Sequence, residues 1–265
     1  MRQVLYIAHG GGPMPLLGDK SHESLNNALQ DVASRMPIPD AILVVSAHWE
    51  ADIPHVTTGE KPELIYDYYG FPPESYQITY PAPGEPNLAK ELLGAITAAG
   101  IESVGEPARG FDHGLFVPLK IMFPQADIPC VQLSLMNTLD ANAHIKLGKA
   151  LANLDYDNLL ILGSGFSFHN MKAFFSPEDA TADSKNAEFQ SWLEQVCSSK
   201  TLNEEERADK LSHWQQAPFA EFCHPREEHL LPLHVCYGAA GKASDEAITV
   251  TALNKEARMF YWQLN

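Results

Sequence analysis

Four histidines stand where an open metal site would draw its ligands. They are His9 in Ile7-Ala8-His9-Gly10-Gly11-Gly12-Pro13, His48 in Ser46-Ala47-His48-Trp49, His169 closing Gly163-Ser164-Gly165-Phe166-Ser167-Phe168-His169, and His229 in Pro225-Arg226-Glu227-Glu228-His229. Neutral imidazole is the commonest metal ligand, and a facial set of three ligands leaves positions on the ion for reactants. The three glycines after His9 permit a tight turn and a close backbone approach to a ligand. Singly, each histidine also fits a plainer role. His9 could simply stand at a strand-to-loop turn, His48 could be satisfied by a backbone carbonyl beside a core Trp49, and His229 could sit in a first helical turn where Glu227 and Glu228 favour the dipole. The first three, however, each follow a short apolar run of strand type, so they fall at strand ends, where open α/β sheets hold ligands.

The strands that must position them are residues 4–8, 41–47, 128–135 and 159–163, with 248–253 as a late strand. Between them lie helical stretches. Residues 21–36 carry Leu25, Ala28, Leu29 and Val32 at helical spacing, with Ser21-x-x-Ser24 as a weak start. Residues 87–99 have Asn87 as cap and Gly100 as stop, and 141–154 and 183–198 also read as amphipathic helices. A further helix starts just after Pro225 and runs from Glu227 through Val235, with His229 near its beginning. Strands alternating with helices imply an α/β fold, expected as a single domain over 1–265 with a central mostly parallel sheet flanked by helices. Phe71-Pro72-Pro73 and Tyr80-Pro81-Ala82-Pro83-Gly84 read as structured loop, and residues 201–223 as a small helical excursion near the site.

Composition narrows the ligands. With 45% hydrophobic residues among 265, the chain can build a core. Eighteen basic against 34 acidic residues give a formal net charge of −16, and no basic run stands out. Nucleic acid and anionic membranes are therefore poor partners, and a small neutral or zwitterionic substrate is easier to accept. The apolar run at residues 4–8 is shorter than the ~7–15 residues of a secretory signal core, and nothing approaches the ~20 that span a bilayer. The expectation is a cytoplasmic protein. Cys130, Cys197, Cys223 and Cys236 form no Cys-x-x-Cys pair and are expected as reduced, buried thiols. Cys223 and His224 lie near His229 and His234, but steps of five residues on a helix turn side chains apart, which argues against a local zinc cluster.

A serine hydrolase must also be weighed, because His9-Gly10-Gly11-Gly12 looks like an oxyanion loop and Gly163-Ser164-Gly165-Phe166-Ser167 like a nucleophile elbow. The spacing fails: an elbow needs Gly-x-Ser-x-Gly, and neither Ser164 nor Ser167 has both glycines at the right offset.

Taken in order, further motifs complete a pattern: Val44-Val45-Ser46-Ala47-His48-Trp49, Gly70-Phe71-Pro72, Gly110-Phe111-Asp112-His113-Gly114 with Val117-Pro118-Leu119, His169-Asn170, and Glu228-His229-Leu230-Leu231-Pro232-Leu233. Nearly end to end, the chain resembles the type III extradiol ring-cleavage dioxygenases, in the branch of the DOPA 4,5-dioxygenase-like proteins. The resemblance implies the catalytic fold of the class III extradiol dioxygenases and a mononuclear non-haem Fe(II) enzyme. Such an enzyme opens a catechol-type aromatic ring beside its hydroxyls by inserting both atoms of O2. It implies His9, His48 and His229 as metal ligands, His169 as the acid/base histidine, and His113 as a residue near substrate or O2. The family loop usually reads His-Gly-Ser-Pro, whereas Gly11 and Gly12 precede Pro13 here. In related branches a carboxylate takes the third place, so Glu228 competes with His229, and relatives with bound zinc leave room for His169 in the coordination sphere.

Fe(II) is thus the expected cofactor of the active form, with Zn(II) as an alternative occupant on isolation, and the oligomeric state is open between monomer and homodimer. For the substrate, Tyr66, Tyr68, Tyr69 and Phe71 offer an aromatic wall and Arg226 a partner for a carboxylate. Two other classes compete: a zinc-dependent hydrolase on the same imidazoles, and a non-catalytic metal-binding relative.

Overall fold

The computed structural model describes residues 2–176 and 180–264. Its centre is one eight-stranded sheet in the order β4-β3-β5-β2-β6-β1-β8-β7. The strands are β1 (Arg2–Ala8), β2 (Ala41–Ala51), β3 (His55–Thr57), β4 (Val104–Glu106), β5 (Cys130–Met136), β6 (Leu159–Gly165), β7 (Glu246–Ala252) and β8 (Lys255–Leu264). The middle of the sheet, β5-β2-β6-β1, is parallel throughout, and antiparallel β8 and β7 extend one side. Val4 to Ala8, Ala41 to Val45 and Leu159 to Leu162 are fully buried, as strands covered on both faces must be.

Helices α1 (Glu23–Arg35), α2 (Pro86–Ala98), α3 (His113–Met122), α4 (Ala141–Leu151), α5 (Met171–Phe174), α6 (Ala180–Ser198), α7 (Glu204–Ser212), α8 (Ala220–Cys223) and α9 (Leu231–Ala240) supply those covers. The two layers can be read from consecutive residues of β6, since successive strand residues face opposite ways. A Cβ on Gly163 would meet Cys236 and Pro232 of α9, while the Ser164 hydroxyl bonds the Gly114 carbonyl of α3. No described helix is long and apolar enough to cross a membrane.

The expected core strands are present, and several boundaries move. β2 continues to Ala51, so His48 lies inside the strand; pairing with β5 shifts register between Val45 and Glu50, an irregularity of the kind that re-aims side chains beside active sites. α2 starts at Pro86 with Glu85 as its cap, displacing Asn87 from that role, while Gly100 ends the helix region with φ +74° as expected. α9 starts at Leu231, not near Glu227, so His229 stands in the turn ahead of the helix. Strand β8 had no expectation: it opens on the charged Lys255-Glu256, and its hairpin turns on Leu253 and Asn254, both at positive φ (51° and 60°), as a two-residue hairpin turn requires. The cysteines are free and buried. His224 and His234 bond the Ser167 and Leu211 carbonyls, which leaves no local Cys-His cluster.

Candidate metal centre

Five of the chain's histidines converge at the C-terminal edge of the parallel strands. His9 follows β1, His48 sits in the irregular end of β2, His169 follows β6, His113 opens α3 and His229 precedes α9. All five line one cavity of about 650 Å³. The backbone forces this approach: His9 N–H bonds Gly165 O, Phe166 N–H bonds His229 O, and His169 N–H bonds Cys223 O. Gly165 is required where the chains meet, since a Cβ there would lie 2.1 Å from His229 O.

Which imidazoles share an ion is a question of distances. Two trios each present ligand atoms within 4.8 Å of one another: His9, His48 and His113, and His169, Glu228 and His229. The sequence-expected set of His9, His48 and His229 straddles them, with ring centroids 4.7, 5.1 and 5.0 Å apart. A ring bound through Nε2 at about 2.1 Å has its centroid about 3.2 Å from the ion, so ligands at 90° lie about 4.5 Å apart and at the tetrahedral angle about 5.2 Å. All three pairs fall in that window. His113 does not fit it, at 3.9 Å from His48 and 5.5 Å from His9. The His9 and His48 Nε2 atoms are 3.0 Å apart, the separation of two nitrogens about 2.1 Å from one ion at a right angle.

Hydrogen bonds set the tautomers so that lone pairs point inward. Ser164 donates its hydroxyl to Gly114 O, so its oxygen accepts from His9 Nδ1 at 3.1 Å, and His9 Nε2 is left unprotonated. His229 Nδ1 donates to Glu228 Oε1 at 2.9 Å, with the same result. Asp67 Oδ1 accepts from the His113 Nδ1 (2.8 Å) and backbone N–H (3.0 Å), and its other oxygen lies 3.9 Å from His48 Nδ1. Such carboxylate partners behind metal-binding imidazoles fix ring orientation and raise basicity. Asp67 stands behind His113 without having been singled out from the sequence, and Ser164, weighed there only as an elbow serine, instead holds His9 through its hydroxyl oxygen. Asp67 lies among tyrosines with no motif of its own.

Burial keeps the rings neutral. Desolvation pushes His9 and His48 well below the ordinary histidine range, and neighbouring imidazoles add to it. His229 falls to about 4 for the same reasons, against the opposing pull of Glu228. Burial pushes the Glu228 carboxyl up, but the bonds from His169 and His229 outweigh it and hold it well below the usual carboxylate range. Neutral imidazoles facing one point are what a divalent cation needs.

Glu228 therefore stands behind His229 and turns Oε1 toward the Nδ1 atoms of His229 and His169, the latter at 3.2 Å. His169 stacks on His229, centroids 3.5 Å apart at 15°, and faces the cavity. Arg226, expected as a partner for a substrate carboxylate, is instead paired with both oxygens of Glu50 at 2.7 and 2.6 Å and does not line the cavity. Of the aromatic wall, Tyr68, Tyr69 and Phe71 line it, and Tyr66 packs behind them. Neither serine of the elbow-like stretch is free: Ser164 is bonded as above, and Ser167 donates to Gln190.

Residues 4–261 match the family model of the catalytic LigB subunit of aromatic ring-opening dioxygenase. The chain belongs to the LigB family. The LigB-family chain is 39% identical to 4,5-DOPA dioxygenase extradiol of Beta vulgaris, over 92% of its own length and 89% of that protein's. It is 38% identical to the dioxygenase tasH of Hapsidospora irregularis, over 98% and 85% of the two chains. The crystal structure of an uncharacterized Escherichia coli K12 protein superposes with a TM-score of 0.77 at 27% identity, covering 98% of this chain and 99% of that one. This LigB-family protein is accordingly an extradiol ring-cleavage dioxygenase.

Proposed function

We propose that this LigB-family enzyme cleaves a catechol-type ring with O2 at an Fe(II) held by His9, His48 and His229. One observation carries the reading: three imidazoles, His9 and His229 buried and His48 partly buried, at mutual centroid distances of 4.7 to 5.1 Å and open on the cavity side. When bound, the cation lowers the pKa of the catechol hydroxyls and supplies the redox path between ring and O2.

The protein's own groups do the rest. His169, held over His229 and within reach of Glu228, presents its Nε2 to the cavity and takes a hydroxyl proton as the substrate docks. His113, with its Nδ1 hydrogen bond accepted by Asp67, holds its ring on the cavity wall 3.9 Å from that of His48, beside the place where substrate or O2 would dock. The cavity walls around them are largely apolar. In the overall balance one catechol and one O2 give one ring-opened product: a ring C–C bond beside the diol breaks, the ring is oxidised as O2 is reduced, and both oxygen atoms stay in the product.

Anaerobic reconstitution with Fe(II), followed by a panel of catechols in air, is expected to consume O2 and catechol one to one and yield a coloured ring-opened product. Zinc loading is expected to abolish both. No turnover on any catechol, with a zinc form that cleaves esters or amides, would replace this reading with hydrolysis.

A further inference from the structure

The cavity above the imidazoles has room for more than a catechol ring, and its walls carry no formal charge. At about 650 Å³ it lies within the ~300–1,000 Å³ typical of pockets for drug-sized ligands. Among the described residues that line it, none is Lys, Arg, Asp or Glu. Its outer part is built from Tyr69, Phe71, Met171, Phe175 and Leu253. Three of these leave large apolar surfaces in solvent: Tyr69 is 92% exposed, Phe175 80% and Met171 52%. Large exposed hydrophobics clustered at one cavity mouth mark a binding surface more than a packing accident. The carboxylates Asp67 and Glu228 sit behind the imidazoles with oxygens turned to ring nitrogens, where they disfavour a further anion.

A charged substituent in the outer part of this space would lose its hydration and meet no Lys, Arg, Asp or Glu among the described lining residues, which is costly. An apolar one would cover the exposed rings at the rim. We infer that the substrate of this site is a catechol carrying an uncharged, apolar substituent of several carbons, and not an amino acid, amine or carboxylic acid of the same ring. The inference rests on the ring-cleavage reading only for the placement of the diol on the imidazole floor.

The test is direct binding to the full-length Fe(II) protein under anaerobic conditions, by titration calorimetry. The probes are catechol, 4-methyl-, 4-ethyl-, 4-propyl- and 4-butylcatechol, then L-DOPA, dopamine and 3,4-dihydroxyhydrocinnamic acid. Kd is expected to fall about fourfold per added methylene, while the three charged compounds bind no better than 4-methylcatechol. Met171→Lys, at a half-exposed position on the rim, is expected to tighten the dihydroxyhydrocinnamate and weaken 4-butylcatechol. A flat alkyl series, or L-DOPA binding as well as 4-butylcatechol, would overturn the inference even if both compounds are turned over. The alkyl trend without ring opening of any member would instead sink the dioxygenase reading and leave the pocket assignment standing.

Discussion

Glu228→Gln isolates what the carboxylate behind the metal centre contributes. In the wild type one oxygen, Oε1, accepts from His229 Nδ1 at 2.9 Å and lies 3.2 Å from His169 Nδ1. The group is held ionised by these imidazoles in spite of burial. Glutamine keeps the shape and removes the charge, and its amide NH2 must face either the Nδ1–H groups at Oε1 or the Arg226 guanidinium at Oε2. A hydrogen bond to a charged group is worth about 1.5–3 kcal/mol, or roughly one to two decades at 1.4 kcal/mol per decade. Loss of such a partner typically weakens metal affinity ~10–100-fold, so the two figures agree. The other oxygen, Oε2, makes no hydrogen bond but lies 3.3 Å from Arg226 Nη1, an ion pair that glutamine gives up, while Arg226 keeps its bidentate pair with Glu50 as support for the surrounding turn. Competition against a chromophoric chelator under anaerobic Fe(II) should show Kd raised about 10- to 100-fold, with an unchanged circular dichroism spectrum. Affinity within about threefold of wild type would refute the claim that Glu228 orients His229.

Other outcomes follow from the same geometry. Gly165→Ala should lower both Tm and metal stoichiometry, because its Cβ would fall 2.1 Å from the His229 carbonyl, which Phe166 N–H and the Tyr6 hydroxyl already hold; a variant that melts and binds metal like wild type would contradict that packing. Burial drops His234 to about 4 and His224 to about 3. Their folded pKa values lie below the unfolded value of ~6.5, so the unfolded chain binds more protons in between and stability is lost as pH falls from about 6.5 toward 4, by ~1.4 kcal/mol per pH unit per histidine. Thermal melts of the metal-free protein at pH 7.5, 5.5 and 4.5 should show this as a falling Tm, and a flat profile would contradict it.

Much of the site was legible because histidine after an apolar run is an unusual placement that the parallel sheet explains: ligands gather where strands end. His9 and His169 needed only that rule. His48 required more, because its strand runs on past it and an irregular register turns the ring to the cavity. His229 was legible as a residue of the cluster but not in its local structure, since Pro225 invited a helix start that the chain delays to Leu231. Asp67 went unread, and Ser164 was weighed only as a nucleophile, because their contacts depend on which nitrogen of a distant imidazole faces them, and no local spacing encodes that. Strand β8 was hidden by its charged opening, although Lys255 is buried and paired with Asp183. Reading Arg226 as a partner for a substrate carboxylate missed Glu50, 176 residues away in sequence, which takes both arms of the guanidinium, with Glu228 3.3 Å away as a second partner.

The most direct test is a crystal structure of the anaerobic Fe(II) protein with anomalous data at the iron edge. The account predicts one ion bound by Nε2 of His9, His48 and His229, with Glu228 on the His229 Nδ1 and open positions toward the cavity. An ion held by His9, His48 and His113, or one ligated by Glu228 and the Nδ1 atoms of His169 and His229, would contradict it.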